Sequence, residues 1–139
     1  MNSQFVKFPL KQNSKNPACL WSEITPKKPY DGKIIGNYGI KTGEEYNLTV
    51  VDLDSYKWNK EHLFNIEFPN FIKEFDTYTV ETGRGGHHLF FEYDELLSTT
   101  NNKEYEIDIR SDGGYVVGYG SVVMSKEYKI VNNVSIKKI

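Results

Sequence analysis

Two carboxylates two residues apart lie in the run Val50-Val51-Asp52-Leu53-Asp54. Alternate side chains of a strand share a face, so Asp52 and Asp54 project one way while Val51 and Leu53 project the other. Carboxylates on one pleat repel each other unless a cation lies between them, which points to a hard divalent ion. The segment Glu106-Ile107-Asp108-Ile109-Arg110 alternates in the same manner, with isoleucines on one face and Glu106, Asp108 and Arg110 on the other. If the two strands are neighbours, Asp108 completes a three-carboxylate cluster able to hold two Mg²⁺ or Mn²⁺ ions. That arrangement clamps the attacking and leaving oxygens of an in-line displacement. An isolated Asp-Xaa-Asp more often only ends a strand in a polar turn, and the second face reads equally as an exposed edge.

A third group is Thr82-Gly83-Arg84-Gly85-Gly86-His87-His88-Leu89-Phe90-Phe91. Glycines at a strand end let backbone amides approach an anion closely. In extended geometry Arg84, Gly86 and His88 share a face, offering a guanidinium, an amide and an imidazole to one triphosphate. His87 and His88 point to opposite faces and do not chelate one ion comfortably. Periodicity alone leaves open which of them is functional.

The elements that must position these groups are mostly strands. Asn37–Thr42, Leu48–Asp54, Tyr78–Thr82, His87–Tyr93, Tyr105–Arg110, Tyr115–Val117 and Tyr128–Val131 read as strands, with Asp112-Gly113-Gly114 as a hairpin turn. Phe64, Phe68, Phe71, Ile72 and Phe75 recur at helical spacing, interrupted by Pro69. This predicts a short helix near 59–65 and another beginning at Pro69. Leu96–Lys103 reads as a polar loop. Residues 1–35 hold four of the five prolines and read as an irregular arm, with organised structure starting near Asn37. The expected fold class is α+β: a mostly antiparallel sheet with helices packed on one face, in one domain spanning 1–139.

Length and composition set the class of protein. At 139 residues the chain can bury one core. It has no apolar run of the ~20 residues a membrane span needs. A single cysteine, Cys19, excludes an internal disulfide, and with three histidines a Cys-rich zinc ribbon is excluded too. The expected location is intracellular. The net charge of −2 is unevenly spread: +5 over residues 1–41, −10 over 42–112 and +3 over 113–139. Basic ends around an acidic middle suit a metal-centred site flanked by phosphate-contacting arms, although a solvated surface with lysine-rich termini gives the same pattern.

The order LTVVDLD, TGRGGHHLFF, EIDIRSDGGYVV resembles the three motifs of the bifunctional primase–polymerase (Prim-Pol) family of the archaeo-eukaryotic primase superfamily. The likeness extends to Lys15-Asn16-Pro17, Trp21 and Asn37–Gly43, covering about residues 10–125. It is greatest toward primase–helicases of large DNA viruses and their satellites. The resemblance implies an RNA-recognition-motif-like half plus an N-terminal α/β unit. It implies Asp52, Asp54 and Asp108 as metal ligands. His88 becomes the histidine that contacts the nucleotide phosphates, with Arg84, Gly85 and Gly86 beside it and Arg110 as a further phosphate contact. Gly118–Ser121 stands where the family has a proline-containing turn, and Arg84 and Gly86 stand where serine is frequent.

The implied activity is template-directed nucleotidyl transfer by a two-metal mechanism, as a DNA primase/polymerase. Its partners are a single-stranded DNA template, nucleoside triphosphates and a helicase domain or subunit. No GxxxxGK[ST] motif occurs, so the helicase is not in this sequence. The chain reads as part of a longer primase–helicase or as a minimal stand-alone version. Two rival readings use the same residues: a nucleotide- or single-stranded-DNA-binding module without turnover, and a metal-dependent phosphodiesterase.

Overall fold

The computed structural model describes residues 5–54, 74–102 and 107–139. Its central feature is a six-stranded, wholly antiparallel sheet. The strands are β3 (Thr49–Leu53), β4 (Thr79–Glu81), β5 (His87–Phe91), β6 (Thr100–Asn102), β7 (Ile107–Arg110) and β11 (Lys129–Asn132), in the order β11-β4-β5-β3-β7-β6. A second sheet joins β1 (Lys7–Pro9), β2 (Tyr38–Lys41) and β8 (Tyr115–Val117) in that order. A small hairpin pairs β9 (Val122–Val123) with β10 (Lys126–Glu127).

β3 is central because both its neighbours can cover it. Its β-branched Thr49, Val50 and Val51 suit a pleated, buried surface, and Val50 is fully buried. Period-two alternation sends the strand's residues to two different apolar clusters. Val50, Phe90, Val80 and Tyr78 join Phe8, Ile40, Val116, Val117 and Tyr128 in the larger one. Leu53, Leu89 and Phe91 form the smaller, with Val51, Phe75 and Ile107 packed on it.

The expected α+β class, with helices packed on a sheet and an N-terminal α/β unit, is corrected. Among the described residues the protein is nearly all β, with no helix of seven or more residues. Single 3-10 turns occur at Trp21–Glu23 and Glu44–Tyr46. Outside 55–73 the apolar residues run at period two in short stretches cut by Gly, Asn and Pro, too short to nucleate a helix. The helices expected near 59–65 and from Pro69 fall largely within 55–73 and so lie outside the described residues.

Three further expectations change. Leu96–Lys103 contains β6, whose polar sequence hides it because it lies at a sheet edge. The arm contributes β1, and its Phe8, Leu10 and Ile24 are buried, so organised structure starts well before Asn37. Asp112-Gly113-Gly114 is not a hairpin, because β7 pairs with β3 and β6 while β8 pairs with β2. The chain instead crosses between sheets there. The crossing is pinned by fully buried Ser111, whose carbonyl accepts from Thr42 Oγ1 at 2.6 Å and whose amide donates to Thr99 Oγ1 at 3.0 Å.

Candidate active site

The antiparallel register sets Asp52 of β3 opposite His88 of β5 on one side and Asp108 of β7 on the other. Opposite residues share a face, so the three side chains form a lateral row on the face carrying Val50 and Phe90. One pleat along, the interior between the sheets is sealed by those apolar groups. At Asp52 it opens into cavities. The same register puts His87 opposite Leu53 and Glu81, on the other face. Geometry therefore separates the two histidines without reference to any other protein.

The row is tightly coupled. His88 Nε2 lies 3.3 Å from Asp52 Oδ1, and both side chains are nearly buried. Arg110 sits two residues after Asp108 on the same face. Its Nη2 donates to Asp108 Oδ2 at 3.2 Å and lies 3.8 Å from Asp52 Oδ2. Burial alone would raise the Asp52 carboxyl, but His88, through charge and hydrogen bond, then Arg110 and Lys15 outweigh it and hold it below its ordinary value. His88 Nδ1 is buried and has no hydrogen-bond partner among the described residues. Such an atom is costly unless something polar reaches it.

Two cavities meet at this row, sharing Lys15, Asp52, His88 and Tyr128. One, of about 590 Å³, is also lined by Asp54, Thr82, Gly83, Arg84 and Lys126 and has a basic rim. The other, of about 280 Å³, is walled by Trp21, Thr99, Arg110, Tyr115, Val116 and Val117. Nothing in the residue pattern around Lys126 and Tyr128 marks them as members of this site. They arrive on the β9–β10 hairpin and just after it: Met124 N donates to Asn13 Oδ1 of the arm at 2.6 Å, and the Asn37 side-chain amide donates to the Val122 carbonyl while its Oδ1 accepts from the Val122 amide. Trp21 is set by Lys41, whose buried ammonium donates to the Trp21 and Ile24 carbonyls.

The expected site residues fall as follows. Asp52, Asp108, His88 and Arg110 are brought together. Asp54 lies one residue past β3 and lines the basic cavity with Asp52 and Arg84. Glu106 lies outside the described residues. The Gly86 amide, expected to face a phosphate, instead donates to Thr82 Oγ1 at 2.9 Å within the β4–β5 turn. Glycine is needed there because a Cβ would sit 2.6 Å from the Leu53 carbonyl oxygen. Gly85 occupies the turn at φ 93°.

A family model for the N-terminal domain of bifunctional DNA primase/polymerase, Prim-Pol, matches residues 2–139. The chain belongs to the Prim-Pol family. None of the curated proteins matches it. Prim-Pol membership implies nucleotidyl transfer of the DNA primase/polymerase type, DNA and nucleotides as substrates, and divalent metal ions in support. Among the described residues of this Prim-Pol chain, no group of three or more His, Cys, Asp or Glu side chains could hold a metal ion. Two hard carboxylate donors nevertheless converge at Asp52 and Asp108, and a stand-in cation, the Arg110 guanidinium, already lies against both. This donor chemistry fits a divalent ion. No helix among the described residues is long and apolar enough to cross a membrane.

Proposed function

We propose that this Prim-Pol chain performs template-directed nucleotidyl transfer, extending a 3′-hydroxyl with a nucleoside triphosphate by a two-metal mechanism. The observation that carries the reading is the cross-strand row His88–Asp52–Asp108, whose His88 and Asp52 members line a basic cavity. Asp52, Asp54 and Asp108 would hold Mg²⁺ or Mn²⁺. Bound there, such ions supply Lewis-acid charge neutralisation and a lowered pKa for the attacking hydroxyl.

The chain's own groups do the remaining work by position and charge. Lys15, Arg84 and Lys126 line the cavity that takes the triphosphate, and their positive field draws in a polyanion. Asp52 orients the His88 ring, and Nδ1, which meets no hydrogen-bond partner among the described residues, gives the imidazole a polar edge for substrate. Trp21, Tyr115 and Tyr128 wall the second cavity beside Asp52. A single-stranded template would lie over the lysine-rich arm, where phosphate contacts make binding salt-sensitive. The same reading places a helicase domain or subunit as the partner in replication, supported by the motif resemblance to primase–helicases.

The test is template-dependent synthesis with ribo- and deoxynucleotides in Mg²⁺ and in Mn²⁺, beside the Asp52→Asn/Asp54→Asn double variant. Metal-dependent product from the native chain and none from the variant is expected; a variant that still extends primers refutes the proposal. A nucleotide-binding module without turnover is favoured by one observation, the lack of a three-donor group among the described residues. Calorimetric titration of nucleotide with Mn²⁺ that shows binding, beside an extension assay that shows none, would establish that reading instead.

A further inference from the structure

Asp52 and Asp108 face each other across β3 and β7, and like charges directly opposite in a sheet repel. Two basic side chains lie against Asp52, and they differ in freedom. The His88 side chain is 8% exposed and held within the sheet, whereas that of Arg110 is 40% exposed and borders the cavity walled by Trp21 and Tyr115. Moving a half-exposed guanidinium further into water breaks few contacts and gains hydration. Moving the buried imidazole or either carboxylate would require breaking the packing of the paired strands that carry them.

We infer that Arg110 is a built-in placeholder cation: it bridges Asp52 and Asp108 when no metal is bound, and a divalent ion must displace it to reach the two carboxylates. This inference rests on the proposed metal role of those aspartates. It assigns Arg110 to the control of metal affinity. The positive charge opposes metal entry and at the same time keeps the empty carboxylate pair from forcing the strands apart. Once displaced, the guanidinium remains tethered two residues from Asp108 at the wall of the Trp21–Tyr115 cavity, which adjoins the basic cavity at Asp52 and His88.

The experiment uses the whole chain and Mn²⁺ alone, without nucleotide, titrated calorimetrically against the native protein, Arg110→Met, Arg110→Lys and Asp52→Asn. Arg110→Met should bind Mn²⁺ tighter, on the order of tenfold, because a fixed charge about 4 Å from the ion's ligands is gone. Arg110→Lys, which keeps the charge, should stay near the native affinity. In chelator the melting temperature of Arg110→Met should fall, and Mn²⁺ should raise it by more than it raises that of the native chain. Equal or weaker Mn²⁺ binding by a folded Arg110→Met overturns the inference. A readout on the native chain covers a variant that fails to fold. The guanidinium NMR resonance that Arg110→Lys removes should shift, and its protons should exchange faster with water, on adding Mg²⁺; an unmoved resonance sinks the idea. If Asp52→Asn binds Mn²⁺ as well as the native chain, the metal assignment itself fails. Weak binding there, with unchanged binding in Arg110→Met, removes only the role of Arg110.

Discussion

Replacing Asp52 by Asn takes one negative charge out of the middle of the His88–Asp52–Asp108 row while keeping the side chain's shape and an acceptor oxygen. Side chains directly opposite across a sheet lie roughly 5 Å apart. At an effective dielectric near 20 the Asp52–Asp108 repulsion removed is then about 3 kcal/mol. Three attractions are lost, that of exposed Lys15 the weakest. The Arg110 contact to Asp52 at 3.8 Å involves a half-exposed guanidinium and is worth under about 1 kcal/mol. The His88 hydrogen bond persists to a neutral acceptor and loses about 1 kcal/mol of its charged character. The lowered pKa of the Asp52 carboxyl means that the attractions already offset burial and repulsion. Metal-free Asp52→Asn should therefore be no more stable than the native chain and less stable by no more than about 1 kcal/mol, a fall in Tm of no more than roughly 5 °C. Primer extension should meanwhile fall on the order of a thousandfold, since a group facing the reacting charge is gone. Urea unfolding in chelator and a gel-based extension assay read the two effects separately. A variant destabilised by more than about 2 kcal/mol in chelator would show that the two carboxylates do not strain the empty site, and retained extension would remove Asp52 from the chemistry.

Gly86→Ala drives a methyl against the Leu53 carbonyl and should destabilise the β3–β5 pairing by roughly 1–3 kcal/mol in urea titration; a neutral effect would mean the strands separate freely there. Burial pushes His87 below its ordinary pKa, and Glu81 only partly restores it. The unfolded chain therefore takes up that proton first as pH falls, so folded stability present above about pH 6.5 declines toward pH 5. His87→Gln should remove part of that decline in melting curves taken across the interval, and an unchanged slope would refute the assignment. Lys126→Ala should raise the nucleotide KM roughly three- to tenfold with little change in kcat, and flatten the dependence of KM on salt. A loss in kcat alone would place Lys126 elsewhere than on the triphosphate.

Strand periodicity was enough to put Asp52 and Asp54 on one face and to give Asp108 and Arg110 a matching face on another strand, because side-chain direction in a strand depends only on position along it. The order of the motifs was enough to suggest the family. Neighbourhood was not legible. Which strand lies beside β3 depends on hydrogen-bond pairing between segments more than 30 residues apart, and no local preference encodes that pairing. Only the tertiary structure sets His88 and Asp108 on either side of Asp52 and turns His87 away. It alone carries the chain from β7 to the other sheet instead of through a hairpin, and brings Lys126 and Tyr128 to the cavity on elements with no chemical signature of their own. The α+β expectation failed for a related reason: apolar spacing in one segment was extended to the whole architecture, whereas the described chain satisfies its backbone through pairing between strands. What the sequence determined was which groups could act. What the fold decided was which of them meet, and that Arg110, two residues from Asp108, lies across the carboxylates it was expected merely to accompany.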